Sequence, residues 1–226
     1  MPAAMPDLAT FQRARRPEHK QQRRAAILDA ARGLARERGV QAVTLGDIAD
    51  RVGMAKSNVL RYFETREEVY LQLTLEAFAE WNTVVGEQLA GGPVTPGQLA
   101  DVLADTLAER PLLCDLFARV SSTLEHNVSP QLGRDFKLRM LEHTHQLAAM
   151  IAAALRDVTL EQAFEMVAGG YALVAGLWPM SNPPVELAAL CVGPEFSEMF
   201  VSFHDRLRRM LEVLTVGVIH TGSTST

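Results

Sequence analysis

Residues 44–63 read TLGDIADRVGMAKSNVLRYF, and this stretch decides the fold. Thr44 with Asp47 three positions later has the form of a capping box, in which side chain and acid satisfy each other's backbone N–H groups at a helix start. Leu45, Ile48, Ala49 and Val52 follow at helical spacing and predict a short helix with one buried stripe. Gly53 ends it. A third short helix fits residues 55–62, with Val59 and then Phe63 facing inward. Lys56, Ser57, Asn58, Arg61 and Tyr62 are left facing outward, all able to donate hydrogen bonds. Two short helices joined by a tight glycine turn, with a helix ahead of them, make a helix-turn-helix, whose second helix enters the major groove of DNA.

Upstream, residues 22–38 place Ile27, Ala30, Ala31 and Leu34 on one helical face, and Gly39 sits where a left-handed C-cap belongs. Downstream, Thr65-Arg-Glu-Glu68 reads as another capping box, opening a long helix to about Leu89. GGPVTPG (91–97) is a break and a candidate domain boundary. Thr95, Pro96 and Gln98 start the next helix, and Pro111 restarts or kinks the chain within 98–125. Ser129-Pro130 opens a helix to about Arg156, and Thr159–Gln162 opens one to Trp178, before Pro179. Pro179–Pro194 reads as a loop. Residues 195–216 carry Phe196, Met199, Phe200, Phe203, Leu207, Met210, Leu211 and Leu214 at helical spacing. No strand run and no repeat is evident, so the fold class is all-α with about nine helices: a three-helix N-terminal helix-turn-helix domain and a larger helical domain.

The charge is uneven. The chain of 226 residues carries a formal net charge of -5, yet residues 1–66 hold thirteen Lys and Arg against seven Asp and Glu. The remaining 160 residues hold nine against twenty. A basic head on an acidic body suggests that the head alone meets a polyanion. Cys114 and Cys191 lie far apart and fit reduced thiols in a cytosolic protein better than a disulfide framework. No apolar run approaches the length that spans a membrane, and the N-terminus lacks the apolar core of a signal peptide.

Catalytic motifs are missing. His126, His143 and His145 with Glu125 and Glu142 invite a metal reading, but His143 and His145 are two apart on different helix faces, and no HExxH is present. Ser121-Ser122 beside Glu125 and His126 is not a triad. There is no nucleophile elbow, phosphate loop or dinucleotide fingerprint. No catalytic residue, metal or cofactor is expected.

AILDAARGLARERGVQAVTLGDIADRVGMAKSNVLRYFETREEVYLQL (26–73) resembles the N-terminal DNA-binding region of TetR/AcrR-type regulators. The anchors are Gly39, Val43, Thr44, Ile48, Ala49, Gly53, Phe63 and Arg66. The resemblance implies DNA contacts from Thr44, Lys56, Ser57, Asn58, Arg61, Tyr62 and Arg66. Thr44, Lys56, Tyr62 and Arg66 would hold phosphate, while Ser57, Asn58 and Arg61 would read bases. Leu60 stands where the family commonly has Tyr, and both a thymine-methyl contact and plain packing fit it. The leader RARRPEHKQQRR (13–24) would be a basic arm on DNA or a solubilising tail.

The resemblance further implies a homodimer joined through the last two helices, here 160–178 and 195–216, bound to a double-stranded palindromic operator. Gly169 and Gly170 would permit close helix approach. It also implies an inducer pocket for a partly apolar small molecule. Candidate lining residues are Trp81, Phe117, Val120, Leu124, His126, Asn127, His143, Met150, Tyr171 and Trp178, though each is also an ordinary core residue type. The expected domains are a flexible basic arm (1–22), a helix-turn-helix domain (23–67), an effector-binding and dimerisation domain (68–216) and a flexible tail (217–226). The expected protein is a cytoplasmic, nucleoid-associated repressor with no membrane partner. The alternatives are a DNA-binding protein of the same fold without an effector, and a helical enzyme or carrier.

Overall fold

The computed structural model describes residues 8–191, 193, 196 and 202–222, without the side chains of 8–18, 185 and 222. Among the described residues there are ten α-helices, two short 3-10 turns and no strand. Contacts divide the chain into two compact units, Met1–Val69 and Tyr70–Thr226.

The first unit opens with α1 (Leu8–Arg38). This helix starts fourteen residues before the expected 22, so residues 8–22 are helical rather than an irregular arm. The Gln, Arg, Lys and Ala of this stretch are strong helix formers, and Pro17 does not break it. Ile27, Ala31 and Leu34 are buried, as their spacing demands. A 3-10 turn (Val40–Ala42) leads to α2 (Leu45–Val52), then α3 (Lys56–Val59). α3 is shorter than expected, and the chain continues to Phe63 through tighter turns such as Arg61 N–H to Asn58 O, 3.2 Å. Ser57, Asn58 and Val59 are weak helix formers, consistent with a single α turn. Gly39 departs from the left-handed cap: its φ of 78° comes with ψ 153°, a region open essentially to glycine alone.

α4 (Arg66–Leu89) carries the chain into the second unit. Thr65 Oγ1 caps it, accepting from Glu68 N–H at 3.0 Å. The expected box does not close, because the Glu68 carboxylate takes the Glu64 N–H instead, at 2.6 Å.

The second unit continues with α5 (Pro96–Ala108), α6 (Pro111–Val120), a 3-10 turn (Leu124–Asn127), α7 (Pro130–Ala154), α8 (Leu160–Ser181), α9 (Val185–Leu190) and α10 (Phe203–Gly222). Thr95 with Gln98 and Thr159 with Gln162 form full capping boxes, and Ser129 caps α7. GGPVTPG is not a domain boundary but a turn inside this unit, tied down where Val94 N–H meets Ala154 O at 2.9 Å. Pro179 lies inside α8 instead of ending it, and Val185–Leu190 is helical where a loop is expected. Pro179 sits in the last turn of α8, where little helix remains to be disrupted. The last helix likewise runs past 216 to Gly222. Met199 and Phe200 lie outside the described residues. α10 packs on α5 and α8, and α8 also packs on α6 and α7. Phe78, Trp81, Leu103, Phe117, Ile151 and Val174 belong to one shared core.

Gly169 and Gly170 do permit close approach, but to α10 of the same chain. A Cβ on Gly169 would lie 2.8 Å from Leu214 Cδ2, and one on Gly170 3.3 Å from Leu211 Cδ2.

Candidate nucleic-acid interface and C-terminal cavity

The turn between α2 and α3 aims the outward residues. Gly53 adopts φ 70°, ψ 37°, the left-handed region that L side chains avoid. Its N–H meets Asp50 O at 3.1 Å, and Met54 N–H meets Ala49 O at 2.9 Å. This pair of bonds is the Schellman closure. Val59 and Phe63, 0% and 1% exposed, anchor α3 below, each worth roughly 1.5–3 kcal/mol by burial. Lys56, Ser57, Asn58 and Arg61 are exposed above. Their side chains make no hydrogen bond or ion pair among the described residues. Leu60, 44% exposed, shares that surface, which argues against plain packing for it.

Several other cations of the unit are engaged. Arg24 donates to Tyr62 O at 2.8 Å, lies 4.0 Å above the Phe63 ring and pairs with Glu68 at 3.5 Å. It therefore holds the end of the α3 segment. Arg51 pairs with Glu37 at 2.7 Å, and Arg38 with Asp47 at 3.3 Å. The hydrogen bond and charge of Arg51 hold the Glu37 carboxyl below its ordinary range.

Two predicted phosphate ligands already have partners within the unit. Arg66 donates through Nε to Val43 O at 2.5 Å and through Nη2 to Val40 O, and its Nη1 pairs with Glu67 at 3.1 Å. It is a brace for the loop before α2. Thr44 is exposed, yet its hydroxyl donates to Asp47 Oδ2 at 2.6 Å while accepting from Asp47 N–H at 3.2 Å. The Thr44 hydroxyl and backbone N–H hold the Asp47 carboxyl below its usual value. The single hydroxyl proton is thus already placed. A phosphate here would meet the outer backbone N–H groups of the α2 start, which no helix satisfies internally. Tyr62 is half-buried. The leader cations Arg13, Arg15 and Arg16 lie among residues whose side chains are not described.

The second unit holds a cavity of about 210 Å³. Trp81, Phe117 and Tyr171 line it as expected from the sequence, joined by Phe78, Met140, Thr144, Phe164 and Met166 among others. Phe78 and Phe117 meet edge-on at 5.3 Å, and Phe117 and Tyr171 at 5.2 Å. Seven expected residues do not line it. Val120 and Leu124 are buried away from it, and His126 and Asn127 are exposed. His143 stacks on Phe78, Met150 lies against Gly86, and Trp178 stacks edge-on against Phe203. Helical spacing from the correct residues would have found the missing ones. Phe78 lies one turn before Trp81, and Phe164, Val167 and Val174 share the Tyr171 face of α8.

Among the described residues no group of three His, Cys, Asp or Glu side chains is arranged to hold a metal. The His126 ring meets Ser121 O, that of His143 meets Gln146, and that of His145 meets Leu141 O.

Residues 27–73 match the family described as bacterial regulatory proteins, tetR family, and residues 75–222 match the tetracyclin repressor-like C-terminal domain. The chain belongs to the TetR family. It is a transcriptional regulator whose first unit is the helix-turn-helix DNA-binding part and whose second is the larger helical domain of the family. A curated relative is the uncharacterized HTH-type transcriptional regulator YfiR of Bacillus subtilis (strain 168), 32% identical over 56 residues. That match spans 25% of this chain and only 27% of the relative.

Solved structures share the fold of this TetR-family chain. A TetR/AcrR-family regulator from Thermobifida fusca YX-ER1 has a TM-score of 0.51 at 23% identity, covering 87% of this chain and 98% of that one. FadR of Thermus thermophilus, solved with lauroyl-CoA, has a TM-score of 0.54 at 21% identity, covering 84% and 92%. No helix among the described residues is long and apolar enough to cross a membrane.

Proposed function

We propose that this TetR-family regulator is a homodimeric repressor that grips a palindromic operator through the α3 face of each copy and releases it when a small molecule fills the cavity of the second unit. The carrying observation is the division among the cations of the first unit. Arg24, Arg38, Arg51 and Arg66 brace the scaffold, while Lys56 and Arg61 stand exposed beside Ser57 and Asn58 without partners. Lys56 and the Tyr62 hydroxyl hold phosphate, Arg61 reads guanine and Asn58 reads adenine or a neighbouring edge. Leu60, exposed on the same face, touches a thymine methyl.

One α turn spans too few base pairs for selectivity, so two copies are needed. The outer faces of α8 and α10 support that pairing. Met210, Val213 and Val216 of α10 are exposed at helical spacing, and Ala168, Ala172 and Gly176 give α8 a small-residue face. An exposed apolar face of this kind suits a two-fold interface. The cavity supports an effector, which acts by binding one spacing of the two DNA heads better than the other. The protein works in the cytoplasm, on the nucleoid when bound.

Footprinting of the full-length protein on genomic DNA tests this. The expected result is protection of a few palindromic sites with half-sites about one helical turn apart or somewhat wider. Lys56→Ala should weaken binding to all sequences and lower the salt slope by about one. Arg61→Ala should cost about 1–3 kcal/mol and relax selectivity at one position. Absence of any protected palindrome would sink the proposal.

A further inference from the structure

We infer that the cavity of the second unit takes a small, uncharged, largely apolar molecule with one hydrogen-bonding group, and that the Tyr171 hydroxyl reads that group. This rests on the effector reading above and narrows it to a chemical class.

Size comes first. At about 210 Å³, the cavity exceeds an engineered void of about 150 Å³ that binds benzene, and falls short of the roughly 300–1,000 Å³ typical of drug-sized ligands. At about 20–30 Å³ per heavy atom it holds on the order of ten such atoms. The fatty acyl-CoA bound by the Thermus FadR is far larger and anionic.

Charge comes next. Among the described residues, no Asp, Glu, Lys, Arg or His lines the cavity. Glu125 and Lys137, whose charges reach the Tyr171 hydroxyl, are bonded to each other at 2.8 Å and are not among the lining residues. An ionised ligand group would therefore be buried without a counter-ion, a cost that a binding site avoids.

The polar atoms then select. Trp81 Nε1 already donates to Thr106 Oγ1 at 2.8 Å, and Thr144 Oγ1 donates to Met140 O at 2.9 Å. Tyr171 is different. Its hydroxyl reaches Phe117 O at 3.3 Å and Ser121 Oγ at 3.5 Å, both well beyond the usual 2.7–2.8 Å for an O–H···O bond. A ligand oxygen at normal distance would improve on either. The edge-on pairs Phe78–Phe117 and Phe117–Tyr171 form a wall against which a flat ring can extend the same packing.

The test uses aromatic probes of about ten heavy atoms each on the full-length protein, read by titration calorimetry near pH 7: 2-naphthol, 2-methylnaphthalene, 4-ethylbenzoate and phenyltrimethylammonium. The inference expects 2-methylnaphthalene to bind and 2-naphthol to bind about three- to tenfold tighter, the worth of one hydrogen bond. Both charged probes should bind at least about tenfold more weakly than 2-methylnaphthalene. Tyr171→Phe should erase the naphthol advantage and leave 2-methylnaphthalene unchanged. Val174→Phe, which fills the cavity, should abolish binding of all four. Should that variant fail to fold, proton NOEs from bound 2-methylnaphthalene to the Phe117 and Tyr171 rings locate the site in the unaltered protein. A charged probe binding best, or a naphthol advantage that survives in Tyr171→Phe, overturns the chemical class while leaving an effector site in place. Absence of binding by every probe overturns the inference; the effector reading is tested apart from it, by release of the protein from its operator on adding a small-molecule extract of the cells.

Discussion

Replacing Arg66 with Met separates scaffold from DNA contact more sharply than any change on α3. The Met side chain keeps an unbranched apolar stem but removes the guanidinium. Two backbone carbonyls, Val43 O and Val40 O, then lose a charged donor at a site where the arginine side chain is only 19% exposed. A hydrogen bond to a charged group contributes about 1.5–3 kcal/mol. Water can replace part of that at a partly open site, so the net loss should be about 2–4 kcal/mol. With a urea slope of about 2 kcal/mol/M, the unfolding midpoint of the first unit should fall by about 1–2 M. Urea titration should follow the Tyr62 environment or amide exchange in α2, so that the second unit does not mask the change. DNA binding, measured under conditions where the variant is still folded, should keep the wild-type dependence on salt. The opposite outcome would refute the reasoning: an unchanged midpoint together with a salt slope lower by about one would make Arg66 a phosphate ligand.

Gly53→Ala should cost about 1–2 kcal/mol for a left-handed Cβ, whereas Gly39→Ala should cost about 2–3 kcal/mol, because its φ/ψ pair is closed to L residues. Gly53→Asn should be tolerated and Gly39→Asn should not; thermal melts of the four variants decide. His204 bonds Asp205 at 3.0 Å and Asp105 at 2.6 Å, and these two contacts, Asp205 first, hold its imidazolium above the ordinary 6.5. The stabilisation of α10 against α5 is therefore complete below pH 6.5 and is lost as pH rises through the raised value. Melting of the wild type should drop across that window relative to His204→Gln, and parallel curves would contradict it. Burial pushes the Cys114 thiol up to about 12, so iodoacetamide at pH 8 should label Cys191 and leave Cys114 intact until the protein unfolds, as peptide mass mapping can read.

The first unit was legible where its determinants are local. A capping pair three residues apart, a glycine at a turn and an apolar stripe of period 3.6 all act within one or two turns of chain, and Thr44, Gly53, Ile48 and Val59 stand as their spacing requires. Arg66 and Arg24 were not legible. Their partners lie 23, 26 and 38 positions away, and nothing in a neighbouring residue distinguishes an arginine that braces a carbonyl from one that meets a phosphate. The cavity was half legible for a related reason. Residue type picked out Trp81, Phe117 and Tyr171, but type also selected Trp178 and Leu124, which spend their surface on other neighbours. A wall is a helix face, so periodicity anchored on Tyr171 carries more information than aromaticity. The early end expected for α8 at Trp178 shows the converse error, a strong local signal at Pro179 that a helix in its last turn can absorb.

The charge asymmetry itself takes a more specific meaning once pairing is known. Ion pairs cancel cation against acid, so Arg24 with Glu68, Arg38 with Asp47 and Arg51 with Glu37 add nothing to the surplus of the first unit. That surplus must sit on cations without partners. Among the described side chains these include Lys20, Arg23, Arg36, Lys56 and Arg61, all exposed. Lys56 and Arg61 flank Ser57 and Asn58, neutral groups that can both donate and accept. Long-range attraction to DNA needs only net charge, and Lys20, Arg23 and Arg36 supply that as well as any. Sequence discrimination needs donors and acceptors at fixed distances from a rigid anchor. Among the described residues, only the α3 face, pinned by Val59 and Phe63 from below and by Arg24 at its end, combines the two requirements. The head of this chain therefore draws DNA with its whole surplus and should read it with about one turn of helix.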